Sequence, residues 1–268
     1  MDQRPIGIFD SGLGGLTCVK KVLELLPGED IIYFGDTGRV PYGSRSADTV
    51  IKYTKQDIRF LEQFDTKLII IACGTASSTA LMQVQRDFDR RIIGVVEPAC
   101  RRAAKLTKNK KIGIIGTQGT IRSGKYQELL QKEDPSFAVY SKACPLFVHL
   151  VENGYANGEV AYLVAKDYLQ PLKEEGVDTL ILGCTHYPLL TEVIRKVMGD
   201  TVQLVDAGAQ TAYTAAEYLK EAGLLCDRQN GTAQYYVSDA AEGFGELAGM
   251  FLNRTVEGSV QKIDIETY

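Results

Sequence analysis

The chain lacks the features that mark membrane proteins, secreted proteins and nucleic-acid-binding proteins. Its longest apolar runs have the length of strands, well short of the ~20 apolar residues of a membrane span. No apolar secretory segment follows the first five residues. The net charge is −4 and there is no long basic run, which argues against binding to nucleic acid. We therefore predict a cytoplasmic protein with neither a membrane nor a nucleic-acid partner.

Motifs for metal binding and for redox chemistry are also missing. The spacing of the cysteines matches neither a zinc finger nor a C-x-x-C redox pair, and there are only two histidines, His149 and His186. In a reducing cytosol we expect all cysteines to be free thiols and no metal to be bound. The six cysteines are Cys18, Cys73, Cys100, Cys144, Cys184 and Cys226.

What the chain does contain is a regular alternation of strand and helix patterns over 268 residues. Short apolar runs alternate with amphipathic stretches such as 47–64, a pattern typical of parallel sheets covered by helices on both faces. Nine strands are predicted, at Pro5–Phe9, Asp30–Phe34, Lys67–Ala72, Arg91–Val96, Lys111–Ile115, Ala138–Ser141, Thr179–Leu182, Thr201–Val205 and Ala233–Val237.

A weak internal repeat indicates two related halves. Residues 5–12 resemble residues 111–118, and Cys73 and Cys184 lie 111 positions apart, close to the 106-residue offset of the first pair. We predict two similar parallel-sheet α/β domains related by pseudo-two-fold symmetry, with the active site in the cleft between them. The first would comprise residues 1–97 plus 208–268 and carry Cys73, and the second would be the inserted segment 98–207 that carries Cys184. Breaks in the pattern at 97–99 and 206–208 would act as a hinge.

Cys73 and Cys184 each directly follow a short apolar run and precede small or hydroxyl residues. This pattern places each thiol at the carboxyl end of a buried strand, where open α/β sheets build their sites. Taken singly, each would be interpreted as a buried packing cysteine, as the other four are. As a matched pair, they predict a reaction with one thiol on each side of a substrate. Of the two histidines, only His186 lies beside a candidate site, where it could make Cys184 a usable base.

Two polar loops are further candidates. The glycine-rich turn Asp10–Leu16 follows the first strand and either binds an anion or is simply a capped strand-to-helix turn. The loop Asp36–Ser44 combines a carboxylate, hydroxyls and glycine-flanked backbone, which suits a small polar ligand. On its own this second loop would be interpreted as an ordinary surface loop.

Together these segments resemble glutamate racemase, of the cofactor-independent aspartate/glutamate racemase superfamily. The resemblance implies racemisation of L-glutamate to D-glutamate without pyridoxal phosphate, and no lysine here lies in a recognisable Schiff-base context. It also implies no cofactor, a role in supplying D-glutamate for peptidoglycan, and a homodimer. The matching segments, in the family's order, are 7–16, 36–43, 72–76, 151–154 and 183–189.

The resemblance also implies roles for individual residues. Cys73 would remove the α-proton of D-glutamate with assistance from Asp10, and Cys184 would remove that of L-glutamate with assistance from His186. Asp36 and Glu152 match further acidic residues that are implicated in catalysis. The residues expected to contact the substrate are Asp10, Ser11, Pro41, Tyr42, Gly43, Gly74, Thr75, Thr117, Thr120, Thr185 and His186.

One position departs from the family pattern. The family usually has asparagine after the first cysteine, where this chain has Gly74, so affinity or substrate choice could differ while both thiols are retained. Two alternatives therefore stay open: an aspartate racemase or a racemase of broader scope from the same superfamily, and a non-catalytic binding protein for an acidic amino acid.

Overall fold

Two separate parallel sheets organise the molecule. The computed structural model describes residues 2–239, 244–252 and 260–268. Every strand pair in both sheets is parallel. The strands are β1 (Ile6–Asp10), β2 (Ile31–Gly35), β3 (Leu68–Ile71), β4 (Ile92–Gly94), β5 (Lys111–Gly116), β6 (Ala138–Ala143), β7 (Thr179–Leu182), β8 (Gln203–Asp206), β9 (Ala233–Val237) and β10 (Val260–Lys262).

The two sheets share one strand order. The first runs β10-β9-β2-β1-β3-β4 and the second β6-β5-β7-β8. The order β2-β1-β3-β4 thus has its counterpart in β6-β5-β7-β8. The weak sequence repeat therefore corresponds to a repeat of strand order in the two sheets. The predicted fold class, two similar parallel-sheet α/β units with a cleft between them, is confirmed.

Helices connect the strands and cover both faces of each sheet. In β3 all four residues are buried; Ile70 packs into one core cluster, while Ile69 and Ile71 pack into another on the opposite face. No helix in the described residues is both long enough and apolar enough to cross a membrane. The helices are α1 (Leu16–Leu25), α2 (Ala47–Glu62), α3 (Gly74–Asp87), α4 (Val96–Leu106), α5 (Gln118–Arg122), α6 (Lys125–Glu133), α7 (Leu146–Glu152), α8 (Glu159–Glu174), α9 (Thr191–Met198), α10 (Ala207–Glu221) and α11 (Phe244–Leu252).

The nine predicted strands all occur, with ends that differ by one or two residues, but β10 was not predicted. It has only three residues, Val-Gln-Lys, and lies at the edge of its sheet, so it carries almost no apolar signal. The structure describes nothing for residues 253–259, which precede it.

The predicted break at 97–99 is wrong, because these residues lie in the first turn of α4. Pro98 is tolerated there, since the first helical N–H groups have no partner within the helix. At the second predicted break, Asp206 ends β8 and caps α10, accepting a hydrogen bond from the Ala209 N–H at 3.0 Å. The chain therefore passes between the two sheets through α4 and α10, and the domain boundaries next to them remain predictions.

Candidate active site

A cavity of about 420 Å³ lies between the carboxyl ends of the two sheets and contains both Cys73 and Cys184 in its wall. Its wall is made by the segments that follow β1, β2 and β3 in one sheet and β5, β6 and β7 in the other. This is the location at which parallel α/β sheets bind ligands. The lining residues are Ser11, Gly12, Val40, Pro41, Tyr42, Gly43, Ser44, Cys73, Gly74, Thr75, Thr117, Gln118, Pro145, Val148, His149, Glu152, Gly183, Cys184, Thr185 and His186.

Cys73 lies at the N-terminus of α3 in apolar and acidic surroundings. Its Sγ accepts a hydrogen bond from the Ala76 N–H at 3.5 Å and lies 3.6 Å from Ser11 Oγ. Burial, and next the nearby charge of Asp10, raise the pKa of the Cys73 thiol to about 12. Cys73 is therefore protonated at neutral pH.

Asp10 lies behind the cavity wall rather than in it. One carboxylate oxygen accepts the N–H groups of Gly12 and Gly15, each at 3.1 Å, so it fixes the shape of the glycine-rich turn. The other oxygen is buried without a hydrogen-bond partner among the described residues. Burial raises the pKa of the Asp10 carboxyl group. Since Ser11 and Gly12 line the cavity, this turn is both internally capped and part of the candidate site.

Cys184 has a cationic partner. His186 Nδ1 lies 3.9 Å from the Cys184 Sγ, and His186 Nε2 lies 3.1 Å from a carboxylate oxygen of Glu152. Burial disfavours charge on this imidazole, but the contacts with Cys184 and Glu152 outweigh it and raise the pKa of His186 to about 10. Cys184 therefore lies beside an imidazole that carries positive charge at neutral pH.

Three threonine hydroxyls join the two halves at the cavity wall. Thr75 Oγ1 lies 2.8 Å from Thr117 Oγ1 and 3.4 Å from Thr120 Oγ1, and the last two lie 3.0 Å apart. Thr75 is the second residue of α3, whereas Thr117 caps α5 and Thr120 lies in its first turn. Thr75 and Thr117 line the cavity, whereas Thr120 does not and contacts both of them from the protein interior.

No lysine or arginine is among the described side chains that line the cavity. The positive end of α3, which begins at Gly74, supplies partial positive charge there. Two N–H groups of the 10–15 turn are already bonded to the Asp10 carboxylate, and the His186 cation lies against the Glu152 carboxylate. Within the described residues, no three or more His, Cys, Asp and Glu side chains are grouped to hold a metal ion. The donor set matches a small carboxylate ligand.

The loop after β2 is fixed from below by a buried polar cluster. Arg39 donates to Asp36 at 2.7 Å and to Asp57 at 3.1 Å, and its guanidinium lies 4.0 Å from the Tyr53 ring centroid. Asp36 is fully buried, does not line the cavity and accepts a very short hydrogen bond from the Tyr42 hydroxyl.

Tyr42 connects this cluster to the cavity. Its hydroxyl contacts Asp36 and also lies 3.0 Å from Asp57 Oδ2, although it has only one proton to donate. Burial and the charge of Asp36 raise the pKa of Asp57 well above its usual range. Tyr42 thus ties the cavity wall to the carboxyl groups that Arg39 contacts.

Comparison with known proteins agrees with this geometry. The sequence pattern of the Asp/Glu/Hydantoin racemase family matches residues 6–215. A glutamate racemase from Geobacter metallireducens is 46% identical over 267 residues, which cover 99% of this chain and 98% of that protein. The chain belongs to the Asp/Glu/Hydantoin racemase family.

Solved structures of family members superpose closely on this chain. A glutamate racemase isoform from Bacillus anthracis has a TM-score of 0.95 and 38% identity, with 98% of each chain covered. The glutamate racemase from Francisella tularensis, solved in complex with D-glutamate, has a TM-score of 0.94 and 38% identity, with both chains covered completely.

Most residues that the family resemblance implicated come together in the cavity wall. Three predicted residues do not line the cavity but are hydrogen-bonded to residues that do, namely Asp10, Asp36 and Thr120. Their roles remain predictions. The predicted residues that line the cavity are Ser11, Pro41, Tyr42, Gly43, Cys73, Gly74, Thr75, Thr117, Glu152, Cys184, Thr185 and His186.

The expectation that only one histidine lies beside the site is wrong. His149 also lines the cavity, because it lies three residues before Glu152 on α7 and so shares its helix face. This three-residue spacing is the sequence signal from which His149 could have been predicted. Sequence reasoning also missed the lining residues Gly12, Val40, Ser44, Gln118, Pro145, Val148 and Gly183 as individual candidates.

Proposed function

We propose that the protein interconverts L- and D-glutamate by transferring the α-proton between Cys73 and Cys184 without a cofactor. The observation that carries this proposal is that both thiols line one small cavity, at the ends of corresponding strands in the two sheets. The glutamate racemases to which the chain is similar over its whole length support glutamate as the substrate.

We assign the resting roles of the two sulfurs from the charge of their surroundings. In the L-to-D direction, a Cys184 thiolate, paired with the His186 imidazolium, takes the α-proton of L-glutamate and becomes a thiol. The protonated Cys73 then donates its proton to the opposite face of the carbanion and becomes a thiolate. In the D-to-L direction each step reverses. After an L-to-D turnover, Cys73 takes up a proton from solvent and Cys184 releases one, which restores the resting form, and no turning over of the substrate is needed.

The carbanion must be stabilised by fixed dipoles, because the adjacent carboxylate makes the α-proton weakly acidic. Backbone N–H groups at the start of α3 are preorganised donors of this kind. The Thr75, Thr117 and Thr185 hydroxyls supply further hydrogen bonds to the carboxylates or the amino group. A cavity of about 420 Å³ is suited to a ligand of this size.

The wider biological role follows from the same proposal. D-glutamate made in a bacterial cytoplasm would supply peptidoglycan synthesis, and the protein would act as a homodimer. Residues 1–97 plus 208–268 and residues 98–207 would move as two domains that close over the substrate and exclude water.

Solvent deuterium incorporation at Cα of D- and L-glutamate tests this proposal on the wild type, Cys73→Ser and Cys184→Ser. We expect the wild type to racemise with exchange and each variant to lose about 10³-fold in racemisation, since serine is a far weaker acid–base group. Cys226→Ser is the matched control, because Cys226 lies outside the cavity wall.

Each alternative predicts a different result. Faster exchange on aspartate than on glutamate would favour the aspartate or broad-scope racemase. If the wild type binds glutamate without exchange, and both cysteine variants change only affinity, the protein is a binding protein and the proposal fails.

A further inference from the structure

The hydrogen bonds of His186 do not by themselves fix the orientation of its imidazole. His186 Nδ1 lies 3.9 Å from the Cys184 Sγ and 3.5 Å from Thr185 Oγ1, which are long distances for hydrogen bonds. On the other side of the ring, Nε2 contacts Glu152, whose side chain is half exposed. Because the χ2 torsion of histidine has a broad energy profile, the ring needs a further restraint to reach Cys184 and Glu152 together.

The side chain of Phe251 packs against this imidazole. The centroids of the two rings are 5.5 Å apart and their planes are nearly perpendicular, at 88°. Phe251 is buried and lies on α11, which packs on α1 beside the first sheet. His186, in contrast, follows β7 of the second sheet. The contact therefore joins the first half of the molecule to the loop that carries Cys184.

A second element of the first half lies along one edge of the same ring. A Cβ atom built on Gly14 would lie 2.6 Å from His186 Nδ1 and 2.7 Å from its Cε1, so the Gly14 backbone closely approaches this edge. His186 itself is buried. Phe251 and Gly14 thus leave the imidazole little room to rotate, and both belong to segments outside its own loop.

We propose that Phe251 is a positioning residue that holds the His186 imidazole between Cys184 and Glu152. This inference rests on the proposed function. Phe251 is not among the residues that line the active-site cavity, so it acts on the reaction through His186. An imidazole that rotates more freely would direct Nδ1 at the Cys184 sulfur for less of the time, and proton transfer at that sulfur would be slower.

The test compares Phe251→Leu with Phe244→Leu. Phe244 is a matched control, because it lies on the same helix and is similarly buried, but its ring packs on Tyr235 with a centroid distance of 5.9 Å. Phe251→Met is made in parallel as a second variant without the ring, since methionine fills irregular gaps. Three readouts are taken on the full chain: the melting temperature, the rate of racemisation, and the primary isotope effects with α-deuterated L- and D-glutamate.

We expect both leucine variants to melt at a lower temperature, since each loses a buried ring. The two Phe251 variants should racemise about tenfold more slowly, whereas Phe244→Leu should keep the wild-type rate. Because His186 is assigned to Cys184 alone, the isotope effect in the Phe251 variants should increase more with L-glutamate than with D-glutamate. Loss of folded protein alone would leave both isotope effects unchanged.

A double variant shows whether Phe251 acts through His186. Once His186→Gln has removed the imidazole, adding Phe251→Leu should slow racemisation by less than about twofold, because residues that act as one unit are not additive. A second loss as large as that in the wild-type background would overturn the inference. So would equal rates in Phe251→Leu and Phe244→Leu, or wild-type isotope effects in the Phe251 variants. All of these differ from failure of the proposed function, in which the wild type itself would not racemise glutamate.

Discussion

The two cysteines occupy corresponding places in the two sheets but have opposite electrostatic surroundings. Cys73 follows β3 and lies near the buried carboxyl group of Asp10, which together with burial raises the pKa of its thiol to about 12. Cys184 follows β7 and lies beside His186, whose pKa is raised to about 10. The repeated topology places the two thiols at corresponding strand ends. In the proposed mechanism, the side chains that differ between the halves would set one sulfur as acid and the other as base.

The loops around the two thiols are supported differently as well. The 36–44 loop rests on the buried cluster of Arg39, Asp36 and Asp57. The loop after Cys184 is held by apolar packing and by hydrogen bonds, among them one of 2.8 Å from the Tyr187 hydroxyl to the Cys144 oxygen and one of 3.1 Å between His186 and the half-exposed Glu152. We expect the first half to depend on buried charge and the second half on packing.

Removing the Arg39 guanidinium from the 36–44 loop should give the largest effect on the free energy of unfolding. Arg39→Met leaves the Asp36 carboxylate buried without its partner and should lower the free energy of unfolding by about 4 kcal/mol. Tyr187→Phe removes one neutral hydrogen bond and should cost only about 1 kcal/mol. Urea unfolding of both variants measures the difference, and equal losses would remove this distinction between the halves.

Replacing the cation beside Cys184 should slow catalysis by about 10²-fold. His186→Gln makes proton removal by Cys184 harder, but the two enantiomers have equal free energies, so kcat/KM must decrease equally in both directions. The asymmetry should instead appear in the primary deuterium isotope effect, which we expect to increase more with α-deuterated L-glutamate than with the D enantiomer.

The other histidine provides the control for that comparison. His149→Gln changes a residue that lines the cavity, but no hydrogen bond joins His149 to Cys184 in the described residues, so the isotope effects should stay at their wild-type values. An equal increase of both isotope effects in His186→Gln would contradict the assignment of His186 to Cys184 alone.

The smallest effect is expected from the carboxylate behind His186. The Glu152 side chain is 45% exposed, so its ion pair should contribute no more than about 1 kcal/mol, and Glu152→Gln should lower kcat at pH 7 by about fivefold or less. The Glu152 contact raises the pKa of His186, and the imidazolium is lost as pH rises through about 10. The alkaline limb of the pH–rate profile should therefore move to lower pH in this variant; a move to higher pH would contradict the ion pair.

The sequence predicts those parts of the architecture in which a single local pattern, such as a continuous apolar run, determines the structure. The apolar run before Cys73 predicts β3 because a parallel strand covered on both faces must be apolar throughout. Pro98 suggests a break in the helical pattern, but proline is equally compatible with the first turn of a helix, where it lies.

Contacts between distant segments are what the sequence could not provide. The inward orientation of Asp36 depends on Arg39 and Asp57, and the approach of Gly74 to Gly183 depends on how the two halves pack. Neither a local pattern nor a propensity encodes these distances. For His149, by contrast, a local signal was present, since it lies three residues before Glu152 on α7 and shares its helix face.

Alkylation of the two active-site thiols tests the asymmetry most directly. Cys73 and Cys184 are similarly accessible, at 5% and 8% exposure, so their relative rates with iodoacetamide at pH 7 report mainly on which sulfur is a thiolate. Mass spectrometry of the two cysteine-containing peptides should find Cys184 modified first, and His186→Gln should slow that modification. Modification of Cys73 as fast as, or faster than, Cys184 would contradict the assignment of base and acid to the two halves.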